Sequence, residues 1–181
     1  QYRQITDDLM NQPALVVKNF IDANPTLPPA RSLRSRFVNE LARRSDWRGL
    51  LAFSPDKPTS TEAQCNYYYA KLSVGQSQEA WSGAKELWLT GKNQPGACEP
   101  LFSAWRDSGQ QDPLAYLERI RLAMKAGNIG LVKSLAQQMP ANYQSIASAV
   151  VALANDPNSV LTFARTTGAT DFTRQMAAVA F

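Results

Sequence analysis

Two thiols, Cys65 and Cys98, are the first residues whose chemistry could matter. The sequence holds no His at all, which removes the commonest general base and the commonest metal ligand. Two thiols without His form a zinc site only if carboxylates complete the ligand set. The residues themselves leave two readings open: a disulfide, or two buried thiols. Asp7-Asp8 is the one adjacent carboxylate pair near the start of the chain, but no second pair or shielding pocket can be argued for it. Glu40 with Arg43 and Arg44, and Glu118 with Arg119 and Arg121, stand at helical spacing and read as surface ion pairs of small worth. The glycines are isolated and placed at helix ends, so no phosphate-binding loop is present. From these residues no catalytic group, no metal site and no cofactor is expected.

Aromatic residues offer a different chemistry. Tyr67-Tyr68-Tyr69, with Trp47, Trp81, Trp88 and Trp105, could present flat apolar faces with polar edges to sugar rings. At helical spacing most of these rings belong to a core. Three successive Tyr cannot all face one way, so at least one is expected to point outward.

These residues sit in a chain whose periodicity is helical nearly throughout. A first helix is expected over Tyr2–Met10. Pro13 opens a second, with Leu15, Val16, Phe20 and Ile21 on its apolar face, and Asn24-Pro25 ends it. Pro28-Pro29 opens a third carrying Leu33, Phe37, Val38 and Leu41. Asp46 caps a short helix over Trp47–Phe53, and a Pro/Ser/Thr/Lys-rich loop covers Ser54–Ser60. Thr61 and Gln64 read as a capping box for a helix that ends at Gly75. The next helix buries Ala80, Trp81, Ala84, Leu87 and Trp88 and uses Gly91 just past its C-terminus. Further helices are expected from Cys98, Asp112-Pro113, Asn128, Pro140 and Asp156, with Thr170 capping one that continues to Phe181. The missing initiator Met and the apolar last residue are what a processed or cut chain would show. No strand pattern is found.

Punctuation at Arg44-Ser45, Gly75, Gly109, Gly127 and Asn155 separates pairs of short helices. The segment Tyr69 … Gly75 … Ala80 … Ala84 … Leu87 is like half of a tetratricopeptide hairpin, and Leu122-Ala123 … Gly127 … Val132 … Ala136 is a poorer copy. The expected fold is all-α: a superhelical solenoid of stacked short helical hairpins, residues 1–181 forming one segment truncated at both ends. A helical bundle would need fewer, longer helices. The net charge of +4 is spread out, apart from a cluster at Arg31, Arg34, Arg36, Arg43 and Arg44, and is too diffuse for a nucleic-acid partner. Apolar runs are too short and broken for a membrane span.

Five longer strings carry a resemblance. Trp47-Arg48-Gly49-Leu50-Leu51-Ala52-Phe53, the run Ala63–Lys71 around Cys65, and Ala84–Lys92 are three of them. The others are Asp112–Arg121 and Thr162–Phe172. Together they make the chain similar to the soluble lytic murein transglycosylases. That resemblance implies part of the helical region that precedes a lysozyme-like catalytic domain. It implies a periplasmic setting, with peptidoglycan glycan strands and that catalytic domain as partners. The implied parent activity is cleavage of the β-1,4 link between N-acetylmuramic acid and N-acetylglucosamine, with closure of a 1,6-anhydro ring and a single Glu as acid and then base. The family's catalytic Glu is followed by Ser. None of Glu40, Glu62, Glu79, Glu86, Glu99 and Glu118 is, and the family's Gly-Leu-Met-Gln and Ala-Tyr-Asn-Ala-Gly stretches are missing too. The expectation is therefore a non-catalytic scaffold. An oxidising periplasm favours the disulfide between Cys65 and Cys98. The outward-facing member of Tyr67, Tyr68 and Tyr69 becomes a candidate glycan contact. The competing reading is a tetratricopeptide-like module that binds a protein partner.

Overall fold

The computed structural model describes Gln4, Asp7–Leu9, residues 11–168, Thr170, Thr173 and Arg174. The helices expected over Tyr2–Met10 and from Thr170 to Phe181 lie largely outside these residues. Among the described residues there are ten α-helices and no strand. They are α1 (Ala14–Ala23), α2 (Pro28–Arg43), α3 (Trp47–Phe53), α4 (Thr61–Ser73), α5 (Ser77–Trp88), α6 (Glu99–Asp107), α7 (Pro113–Lys125), α8 (Ile129–Gln137), α9 (Gln144–Asn155) and α10 (Val160–Thr167). Short 3₁₀ turns at Gly96–Cys98, Ala141–Tyr143 and Pro157–Ser159 lead into α6, α9 and α10. None of the described helices is long and apolar enough to cross a membrane.

The chain divides into two compact units. One comprises residues 1–87 and 94–107, the other residues 88–93 and 108–181. In the first, α2 packs on α1, α3 and α4, and α4 packs also on α3 and α6. Its core is built from Val17, Ile21, Leu33, Phe37, Val38, Leu41, Leu50, Phe53, Ala63 and Tyr67. In the second, α7 packs on α8, α8 on α9 and α9 on α10. Ile120, Val132, Val150, Leu153 and Phe163 are buried there. Packing on sequence neighbours is the mark of stacked hairpins: each short helix hides its apolar stripe only when the next one arrives.

The hairpin punctuation has a common geometry. At Ser45, Gly75 and Gly127 the backbone enters the left-handed region (φ 58°, 87° and 67°). At each, the next residue's amide reaches back five residues: Asp46 to Leu41, Gln76 to Lys71 and Asn128 to Ala123, at 2.8–2.9 Å. Each left-handed residue donates three residues back, to Ala42, Leu72 and Met124 respectively. This is the Schellman closure, which satisfies carbonyls that the helix end would leave orphaned. Asp46, Asn128 and Asp112 then cap α3, α8 and α7, accepting from the amides of Gly49, Leu131 and Leu114. Thr170 accepts from the Thr173 amide at 3.2 Å.

Several local expectations are corrected. The inner face of α1 is Val17 and Ile21, four residues apart, while Leu15 and Val16 are exposed at 67% and 45%. With Leu15, Val16, Val17, Phe20 and Ile21 all in one short helix, the pattern permitted two faces, and packing against α2 and α3 chose the one through Val17. The cap of α4 is Ser60, whose side chain accepts from the Ala63 amide, one residue before the expected Thr61. Gln64 accordingly falls outside the box position and donates to the Pro58 carbonyl. Gly91 does not have positive φ; a Cβ there would lie 2.3 Å from the Leu122 carbonyl oxygen, so close backbone approach explains it. Not every glycine ends a helix: Gly83 lies within α5 and faces the Tyr68 ring.

Candidate functional site

The candidate residues cluster on α4. This helix is covered by α2, α3 and α6, so residues on several of its sides are buried. Cys65 sits one turn into it, fully buried, and is bonded to Cys98 at the end of the Gly96–Cys98 turn. The two Cα atoms are 4.8 Å apart across 33 residues of sequence. The bond ties α4 to the turn that starts α6, where the two also pack. Among the described residues there is no free cysteine, and no three potential metal ligands converge.

The three tyrosines diverge as a helix requires. Tyr67 is buried and donates from its hydroxyl to the Pro55 carbonyl at 3.0 Å. Lys71 approaches its ring at 5.4 Å while donating to Glu79 Oε2 at 2.7 Å, a bond that raises the Lys71 pKa. Tyr68 is half-buried, edge-on to Tyr67 at 5.3 Å, and burial pushes its phenol above the ordinary value. Tyr69 is half-buried and edge-on to Trp47 at 5.1 Å. The partial exposure therefore belongs to Tyr68 and Tyr69. Trp105 and Trp88 are buried, and the Trp88 indole donates to the Ala115 carbonyl at 3.0 Å, whereas Trp47 and Trp81, the latter expected in the buried stripe, are half-buried.

One of the two charge groups read as surface pairs is not. Glu40 is buried, and both its oxygens are used: Arg43 binds it in a fork at 3.0 Å and Arg44 Nε adds a bond at 2.8 Å. The Arg43 hydrogen bond, with Arg44 beside it, holds the Glu40 carboxyl below its usual range. Arg121 pairs with Glu118 at a partly exposed position, while Arg119 is buried with its guanidinium 4.2 Å from the Trp88 ring centre. A burial pattern set by neighbouring helices decides this, and spacing along one helix cannot show it. Asp7 and Asp8 are both exposed, and Asp8 accepts from Asn11 at 2.7 Å.

The loop Ser54–Ser60 builds a wall that its residue types do not announce. This loop is pinned from several sides. Ser54 Oγ donates to the Asp56 carbonyl, Tyr67 and Gln64 hold the Pro55 and Pro58 carbonyls, and Lys57 pairs with Glu86. Its composition gives only the loop; its rigidity comes from partners on α4 and α5.

The Cys65–Cys98 tie, the Tyr67–Tyr69 ladder and the Schellman-closed hairpins can be set beside known proteins. No protein-family model matches the chain. The chain is 81% identical over all 181 residues to the soluble lytic murein transglycosylase of Escherichia coli K12, and 78% identical to that of Salmonella typhimurium. Along its whole length it is similar to one segment of a soluble lytic murein transglycosylase. It spans 28% of the length of these curated relatives. The fold agrees: the 70 kDa soluble lytic transglycosylase SLT70 of Escherichia coli superposes at a TM-score of 0.93, covering 99% of this chain and 29% of that one. The lytic transglycosylase Slt of Pseudomonas aeruginosa, solved as an inactive mutant, superposes at 0.86 with 29% identity and the same coverages. The all-α hairpin architecture is thus kept by transglycosylase segments that share under a third of their residues with this chain.

Proposed function

We propose that this chain is a non-catalytic, superhelical scaffold segment of a lytic murein transglycosylase, working in the periplasm beside a catalytic domain supplied elsewhere in the longer protein. The observation that carries the reading is the match over all 181 residues to barely more than a quarter of the transglycosylase relatives. The disulfide suits an oxidising compartment. The net charge of +4 suits the anionic groups of murein, and the half-exposed Tyr68 and Tyr69 are the aromatic faces available to glycan. The parent would cleave the link between N-acetylmuramic acid and N-acetylglucosamine, while this segment helps position the glycan strand.

Co-sedimentation with purified murein sacculi tests the reading. Retention at low salt that is lost at high salt is expected. No retention, with capture of a defined protein instead, would favour a tetratricopeptide-like protein-binding module. Release of anhydro-muropeptides by the chain alone would overturn the scaffold role.

A further inference from the structure

A groove of about 610 Å³ opens in the first unit between the end of α1, the start of α2 and the pinned loop. That volume lies within the range of small-ligand sites. Ile21, Ala30 and Pro58 give it an apolar floor. Polar groups on its walls are under-used. Arg34 carries five N–H donors, and its one ion-pair contact is at 3.5 Å, to Asp22 Oδ1. Asp22 is already committed to Lys18, whose hydrogen bond lowers its pKa. Among the described residues, the exposed Asp56 carboxylate and the hydroxyls of half-buried Ser35 and exposed Thr59 have no protein hydrogen-bond partner and are open to a ligand. The remaining cation in the lining, Lys57, is held by Glu86 at 2.8 Å.

The groove thus offers one available cation with neighbouring hydroxyls, one available anion, and an apolar floor against a wall that is already rigid. A ligand complementary to it carries a carboxylate for Arg34, an ammonium for Asp56 and short aliphatic side chains between them. We infer that this groove binds a short zwitterionic peptide, the chemical class of the peptide stems of murein, through Arg34 and Asp56. The inference rests on the reading that the segment meets murein, and it adds a peptide-recognition site to the glycan-positioning role. Pinning of the loop before binding lowers the ordering cost of capture.

The test is a titration of the ¹⁵N-labelled chain with the diaminopimelate-containing tetrapeptide released from murein, followed by NMR. Shifts are expected at Arg34, Ser35, Asp56 and Thr59. Arg34→Gln and Asp56→Asn should each weaken binding about tenfold, the loss of one charge-assisted hydrogen bond. Thr59→Ala, at an exposed position, should weaken it less and serves if either charge variant lowers the melting temperature. N-acetylation of the peptide's free amines should reproduce the Asp56→Asn loss. In parallel, sedimentation compares intact sacculi with glycan strands stripped of peptide by an amidase. Weaker retention on stripped strands supports the site. Equal retention on both, or peptide binding indifferent to Arg34 and Asp56, overturns it while leaving the scaffold reading intact. No retention on either, and no peptide binding, overturns both.

Discussion

Glu40 shows how much one side chain can hold. Its buried carboxylate accepts three charge-assisted bonds from Arg43 and Arg44, and Arg44 Nη2 reaches the Leu9 carbonyl at 3.4 Å. The folded-state pKa lies below the ordinary 4.5, so folding favours the ionised form. That contribution is fully present above the unfolded pKa and disappears as pH falls through the lower folded value. The melting temperature should therefore change little between pH 7 and about pH 5 on account of this group and fall below that. Glu40→Gln should lower stability at pH 7 by about 2 kcal/mol and flatten the acid limb, checked by thermal melts across pH. Glu118, lowered by its bond to Arg121, should add a smaller slope of the same sign, being more exposed. Spacing exposed both clusters in the sequence. Burial, which turned Glu40 from a surface partner into a buried one and Arg119 into a lid on Trp88, came from helices distant in sequence.

At the scale of the elements, turn chemistry was the most legible feature. Asp46, Asp112 and the breaks at Ser45, Gly75 and Gly127 could be read locally because a cap or a left-handed residue acts within a few positions. Asp112→Ala should cost about 1 kcal/mol by removing the Leu114 amide's acceptor, measured by chemical denaturation. Packing glycines behave differently. Gly83→Ala would set a Cβ 2.3 Å from the Tyr68 ring, and Gly91→Ala would set one 2.3 Å from the Leu122 carbonyl. The Gly83 change regains up to about 1 kcal/mol of helix propensity but must displace the root of the Tyr68 ring, a side chain rather than backbone. The Gly91 change meets backbone, which cannot. Gly91→Ala is therefore expected to be the worse of the two, by about 1–3 kcal/mol in denaturant titrations. Neither role was visible in sequence, because each depends on what another helix brings to the glycine.

For the molecule as a whole, the disulfide is the principal covalent constraint. It closes a 33-residue separation within the unit that holds α1–α4 and α6. Closing such a loop limits the unfolded chain, worth roughly 3–4 kcal/mol in the chain-entropy account. Melts with and without reductant should differ accordingly, and the Cys65→Ala/Cys98→Ala double variant should match the reduced protein. An unchanged melting temperature would place the bond's value elsewhere. Because the bond is buried and joins elements that already pack, reduction should loosen α4 from the start of α6 before it touches the α7–α10 unit. Hydrogen exchange resolves the order of loss.

Helical class, most helix limits, the hairpin turns and the transglycosylase resemblance were all legible in the residues. All of these rest on periodicity, on caps that act over three or four residues, or on strings long enough to be specific. The Cys65–Cys98 bond was expected and is present, whereas only the packed molecule settled which face of α1 is buried, that Tyr67 is core while Tyr68 and Tyr69 stay half-exposed, and that residues from 21 to 59 form one groove. The physical reason is range. A helix reports its own stripe, but which of two possible stripes is covered, and which polar groups are left facing a cleft, depends on neighbours whose positions no local pattern encodes.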